Sequence, residues 1–202
     1  PFYGALKAVW EGAPVSDLAA QVDSTLDRLP PRAKRLRFTT NHDESMWDET
    51  PLELFNGMEG SKAAFVLAST MPGVPLVYNG QELGVADTVS FFARTPYDWS
   101  RSADNAPFAF YTEHLTFYRD NTALRRGTLT MLTPDAEDAL LYTRSFEDET
   151  TLVAVNVRDR SVQVPVPTAY RNRAWTNAFT GTAVSADTLD LGPYGYRLLH
   201  AE

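Results

Sequence analysis

The stretch Met71-Pro72-Gly73-Val74-Pro75-Leu76-Val77-Tyr78-Asn79-Gly80 decides how the first part of the chain folds. Ahead of it, Ser61 to Thr70 is rich in Ala, Phe, Val and Leu and reads as a largely buried helix. Met71-Pro72-Gly73 stops that helix. Val74 to Tyr78 then reads as a short strand, with Pro75 tolerable only at its start, and Asn79-Gly80 turns the chain. Upstream, Leu36 to Thr40 also reads as a strand. The order is therefore strand, helix, strand, the unit of a parallel α/β layer.

Working outward from this unit, Leu18, Val22, Leu26 and Leu29 fall at helical spacing and predict a helix over Ser16 to Leu29, with Ser16 as N-cap and Pro30-Pro31 as its stop. The basic cluster Arg32, Lys34, Arg35 and Arg37 leads into the first strand. Thr50-Pro51-Leu52-Glu53 has the form of a capping box with Pro at the first helical position, and Gly57 and Gly60 are expected to break the helix that starts there. Gly84 to Pro107 shows no periodicity but holds Phe91, Phe92, Tyr97 and Trp99, the pattern of a long structured loop. A helix from about Phe108 to Leu124 follows.

After Gly127 the pattern changes to short strand-like runs separated by turn residues: Thr128–Leu132, Ala139–Phe146, Thr151–Val157, Ser161–Val166, Ala174–Phe179 and Tyr194–His200. These predict an antiparallel β-sandwich. The boundary between an α/β part, residues 1–126, and an all-β part, residues 127–202, falls near Arg126-Gly127. The first part is too short for a complete (β/α)₈ barrel, which needs about 250 residues. The strands from about Arg126 onward are expected to fold alone, and a parallel sheet edge left open in the first part offers a route to a homo-oligomer.

Composition bounds the chemistry. The 202 residues are 44% hydrophobic and 22% charged, the balance of a folded domain. A formal net charge of −8 argues against nucleic acid or an anionic membrane surface as partner and suits a neutral substrate. With no Cys there is no disulfide, thiolate metal site or cysteine nucleophile. The apolar run Ala63–Ala68 is far too short to span a bilayer. The sequence opens on Pro1 without Met or a leader, so its natural N-terminus is expected to lie upstream and no localisation signal can be read.

Phe38-Thr39-Thr40-Asn41-His42-Asp43 places three polar side chains where a strand ends, the position at which parallel α/β folds carry their reacting groups. The alternative is local: Asn41 and Asp43 form Asx turns and cap the next segment, with His42 a surface residue.

Phe-x-x-Asn-His-Asp, followed by an apolar helix and then by Pro72-Gly73-Val74-Pro75 through Tyr78, Gly80, Glu82 and Gly84, resembles the α-amylase family of retaining glycoside hydrolases in order and spacing. The resemblance covers nearly the whole chain. It implies the C-terminal portion of a (β/α)₈ TIM barrel, about strands seven and eight, followed by an antiparallel β-sandwich, domain C. It also implies an α-1,4-glucan or maltooligosaccharide as substrate, with amylase, cyclomaltodextrinase, glucosidase and transglycosylase left undivided.

On this resemblance Asp43 is the carboxylate that stabilises the transition state, through hydrogen bonds to sugar hydroxyls that strengthen as the ring flattens. His42 is its neighbour at the same subsite. Asn41 either touches sugar or fixes the turn. Trp47 either stacks on a sugar face or packs against a neighbouring loop. Tyr78 and Glu82 are structural near the site, Glu82 being expected to pair with another strand-end group. Glu44 is not recruited, because it should point away from Asp43. The nucleophile and acid/base lie at strands four and five, upstream of these residues, so the chain alone is expected to be inactive.

No three spaced ligands suggest a metal, and no cofactor is expected here. The family's calcium sites mostly use an excursion after strand three. The competing reading is a noncatalytic carbohydrate-contacting or structural module, and the aromatic residues of the long loop could line an outer subsite, although such clusters are more often small satellite cores.

Overall fold

The computed structural model describes residues 2–202 apart from 27, 31, 32, 89, 91 and 134, and apart from the side chains of 25, 26, 101 and 104. The expectations placed on the Leu26 side chain, Pro31, Arg32 and Phe91 lie outside the described residues.

Two helices open the chain, α1 (Phe2–Trp10) and α2 (Val15–Leu26). α1 has no counterpart in the sequence reading, yet it buries Phe2, Tyr3, Leu6 and Val9 along one helical face. α2 buries Val15, Leu18, Ala19 and Val22, matching the apolar spacing, and ends well short of Pro30. Strand β1 (Leu36–Arg37) pairs in parallel with β2 (Val74–Pro75). The N–H groups of Val74 and Leu76 donate to the carbonyls of Arg35 and Arg37, both at 2.8 Å. Both strands are shorter than their apolar runs, because among the described residues each pairs only with the other.

Between them lie α3 (Glu44–Trp47), α4 (Pro51–Leu54) and α5 (Met58–Thr70). The capping box forms, with Thr50 N–H donating to Glu53 Oε2 at 3.1 Å. Gly57 breaks the chain at φ 94°, but Gly60 does not; it lies inside α5. A Cβ there would sit 1.7 Å from the Phe55 carbonyl oxygen, so glycine lets the α4 end close onto α5. The single helix expected over Phe108–Leu124 is two, α6 (Ala106–Asp120) and α7 (Thr122–Arg126). Asn121 divides them by accepting the Leu124 N–H at 2.7 Å while its Nδ2 reaches Thr151 Oγ1 at 2.9 Å.

The remaining strands are β3 (Thr128–Met131), β4 (Ala139–Phe146), β5 (Glu149–Asn156), β6 (Val162–Pro165), β7 (Thr176–Asn177), β8 (Thr188–Leu191) and β9 (Tyr196–Ala201), with a short helix α8 (Thr168–Arg171). β8 and α8 were not expected from the sequence. A five-stranded antiparallel sheet runs β3-β4-β5-β9-β7, and β6 pairs with β8 as a second, smaller layer.

The two faces of the larger sheet serve two cores. Leu141, Leu152, Ala154 and Leu199 pack with Val164, Leu189, Leu191 and Trp175 between the layers. Leu140, Tyr142, Val153, Val155 and Leu198 share the other core with α1, α2 and α5. Among the described residues of 127–202 nothing substitutes for the helices on that face. The expectation that this part folds alone therefore conflicts with how its sheet is covered.

The second core also holds an ionisable group. His114 on α6 is fully buried, its ring centroid 5.6 Å from Phe65 and Phe110 and 6.0 Å from Phe179. Ser69 Oγ donates to the Phe65 carbonyl at 2.7 Å, so it faces His114 Nε2, 2.6 Å away, as an acceptor, and Nδ1 is buried without a partner among the described residues. Burial pushes the imidazole pKa down to about 4. Below the unfolded value of about 6.5 the unfolded chain binds a proton that the folded chain refuses, so stability falls with pH through that window. About 2 kcal/mol is expected to be lost from this group between pH 7 and pH 5. Chemical denaturation of the wild type and His114→Gln at both pH values checks this: the variant should lose most of the pH dependence.

Candidate functional site

The parallel pairing of β1 and β2 brings the ends of both strands together, and the loops that leave them form the candidate site. After β1 the chain passes through Thr39 and Thr40, both almost fully buried, before surfacing at Asn41. After β2 it turns at Gly80 (φ 90°) into a 3₁₀ turn, Gln81–Leu83, closed by Gly84 (φ 65°). Positive φ favours glycine at both places. A Cβ on Gly80 would also lie 2.7 Å from the Tyr97 ring. The Gly80-x-Glu82-x-Gly84 motif thus serves close packing at the strand end.

Gln81 couples the two strand ends. Its Nε2 donates to Thr39 Oγ1 at 2.6 Å and to Tyr111 OH at 2.8 Å, while its Oε1 accepts the Tyr78 N–H at 3.3 Å. This buried amide holds the start of the Asn41 turn against β2 and α6. Nothing in the sequence singled it out, because its role rests on partners 42 and 30 residues away.

Asn41 makes the turn itself. Its Oδ1 accepts the N–H groups of Asp43 at 2.8 Å and Glu44 at 2.9 Å, and its carbonyl accepts Ser45 N–H. Asp43 stands at the N-cap position of α3 but makes no side-chain capping bond. The capping alternative therefore describes Asn41, and it does not describe Asp43. Asn41, expected to be a substrate contact or a turn residue, spends its acceptor on the turn. The Asp43 carboxylate is exposed, 3.5 Å from His42 Nε2.

Glu44 opens α3 and is half-buried; burial, with repulsion from Asp48 and Asp43, raises its pKa. Asp48, also missed in the sequence, fixes the far end of α3. It accepts Lys7 Nζ at 2.5 Å and Tyr3 OH at 3.0 Å, tying the site loop to α1. Burial pushes its pKa up, but these bonds outweigh that effect and hold it below the ordinary value.

Trp47 closes α3 and is 79% exposed, and Phe92 is 94% exposed. Tyr78 lines a recess with Thr40, Ser45 and Tyr97 beside the Asn41 turn. Glu82 buries its Oε2 without a hydrogen-bond partner among the described residues, so the expected pairing with a strand-end group is not seen at this oxygen. Among those residues no group of three His, Asp or Glu side chains could hold a metal ion.

Chemically, the arrangement offers an exposed carboxylate and imidazole side by side on a turn whose own hydrogen bonds are already satisfied. Such a pair can bind polyhydroxylated ligands, the carboxylate as acceptor and the imidazole as donor.

Residues 129–198 match the family model described as Maltogenic Amylase, C-terminal domain. Over 178 residues the chain is 26% identical to Alpha-amylase 2 of Dictyoglomus thermophilum, an alignment covering 82% of this chain and 29% of that protein. Over 147 residues it is 29% identical to Cyclomaltodextrinase of Geobacillus thermopakistaniensis, covering 70% of this chain and 25% of that protein. The chain thus spans less than a third of the length of these two curated relatives. Among solved structures, the cyclic alpha-maltosyl-(1→6)-maltose hydrolase of Arthrobacter globiformis superposes with a TM-score of 0.79 at 23% identity, over 100% of this chain and 44% of that one. The two motifs, the C-terminal domain match and these relatives together show that this chain is similar to glycoside hydrolases of the α-amylase family.

Proposed function

We propose that these residues are the last two strands and flanking helices of a (β/α)₈ catalytic barrel, with its domain C, in an enzyme that cleaves or transfers α-1,4-linked glucosides with retention. On this reading Asp43 stabilises the oxocarbenium-like transition state and His42 binds a neighbouring hydroxyl. The observation that carries it is the division of labour at the turn: Asn41 does the capping, and the Asp43 carboxylate is left exposed beside His42. A carboxylate spared from structural duty at a strand end is what substrate binding requires.

One carboxylate cannot perform retention. The covalent route needs two carboxyl groups roughly 5–5.5 Å apart, one as nucleophile and one as acid/base. The proposal assigns both to polypeptide outside these 202 residues. Trp47 would extend the surface toward an outer sugar by stacking.

The test uses the longer protein that contains this sequence. A chromogenic maltooligosaccharide should be cleaved with release of the α-anomer, followed by proton NMR at early times, whereas the 202-residue chain alone should show no turnover. Release of the β-anomer would overturn retention. Turnover by the short chain that disappears in Asp43→Asn would overturn the placement of the catalytic pair.

A further inference from the structure

At the opposite ends of β1 and β2 from Asp43, a second cleft of about 150 Å³ is lined by Lys34, Arg35, Arg125, Arg126 and Arg144, with Gly73 and Gly127 in its wall. Arg35 precedes β1 and Gly73 precedes β2, so the parallel pairing places this cleft and the Asp43 turn at opposite strand ends. Five cations around one recess are unusual in a chain with a net charge of −8.

The partners of these cations are mostly neutral. Lys34 Nζ donates to the Arg125 carbonyl. Arg144, only 2% exposed, donates from Nη1 to the Thr70 carbonyl at 2.7 Å and from Nη2 to the Gly127 carbonyl at 2.8 Å. Its Nε is buried with no hydrogen-bond partner among the described residues. Arg125 reaches the Asn121 carbonyl at 3.3 Å and Thr122 Oγ1 at 3.5 Å. Among the described residues Asp120 lies near Arg125, and it is already engaged by two 2.8 Å bonds from Arg119. Burial and the charges of Arg144, Arg126 and Arg125 lower the Lys34 pKa, the mark of a cation among cations.

Buried and crowded positive charge is normally matched by an anion. Clustered guanidinium and ammonium groups suit an oxyanion with several acceptor oxygens, which can take multiple charge-assisted hydrogen bonds at once. The cleft has room for a phosphoryl group and not for an oligosaccharide. We propose that it binds a phosphate-type oxyanion, either inorganic phosphate or the phosphoryl group of a sugar monoester, with Lys34 and Arg126 as accessible contacts and buried Arg144 as the fixed positive wall. This site is independent of the glycosidase reading, since it involves neither Asp43 nor His42.

Calorimetric titration of the full 202-residue chain with inorganic phosphate, at ionic strength held constant with chloride, tests the proposal. One saturable site is expected, with affinity reduced at least tenfold in Lys34→Gln/Arg126→Gln and unchanged in Arg119→Gln. Arg144 is left intact because its carbonyl bonds support the fold. Arg126→Gln alone should weaken binding severalfold, which keeps the test decisive if the double variant is unstable. Titration with glucose 1-phosphate and with glucose identifies the source. Tighter binding of the ester than of phosphate points to a sugar phosphate, equal binding to free phosphate, and glucose should not compete with phosphate. Absence of a saturable phosphate isotherm, or equal affinity in Arg126→Gln and the wild type, would overturn the site.

Discussion

Residues 127–202 produced alone are expected to give no cooperative thermal unfolding. In the full chain one face of the five-stranded sheet packs against α1, α2 and α5, burying Leu140, Tyr142, Val153, Val155, Val157 and Leu198. Removing residues 1–126 returns those side chains to water. At roughly 1.5–3 kcal/mol for each large apolar side chain, the loss is on the order of 10 kcal/mol, as large as the whole stability of a typical domain. Polar anchors go with it: Arg144 would lose the Thr70 carbonyl, and Arg158 would lose the carbonyls of Val9 and Ala13. The inter-layer core around Trp175 remains, so a collapsed β-rich state that binds a hydrophobic dye is expected in place of a native fold. Near-ultraviolet circular dichroism followed during heating decides the matter. A sharp melt close to that of the full chain would show that the sheet needs no helical cover.

Asp43→Asn, made in the longer enzyme proposed above, is expected to lower kcat and kcat/KM together by about 10²–10³-fold, the usual cost of removing one preorganised electrostatic partner. Asn keeps the size of Asp but loses the charge and one acceptor, so charge-assisted bonds to sugar hydroxyls become ordinary or vanish. Stability should change by less than about 0.5 kcal/mol, as for other exposed surface changes, because Asp43 makes no capping bond and is exposed. Asn41→Ala should behave in the opposite sense. It removes the acceptor for two backbone N–H groups and should cost about 1 kcal/mol of stability. Measuring melting temperature and kcat on both variants separates the roles. A destabilised but fully active Asp43→Asn enzyme would reduce Asp43 to a turn residue.

Local chemistry was readable from the sequence wherever the deciding interaction spans a few residues. The apolar spacing of Leu18 and Val22, the Thr50/Glu53 capping box, the stop at Pro72-Gly73 and the turn at Gly80 all appear where the residues called for them. The Asn41-His42-Asp43 motif was visible in the sequence, and the structure puts it in the loop that follows β1. The structure decided what depends on distant partners. Gly60 reads as a helix breaker until Phe55 is seen to pack against it, and Asn121 splits a continuous helical pattern with a bond to Thr151. Gln81 and Asp48 hold the site through Thr39, Tyr111, Lys7 and Tyr3, none of them sequence neighbours. Periodicity records which side chains avoid water without naming what covers them. For that reason the strands after Gly127 could be read one by one, while the dependence of their sheet on helices far upstream became visible only once the chain was folded.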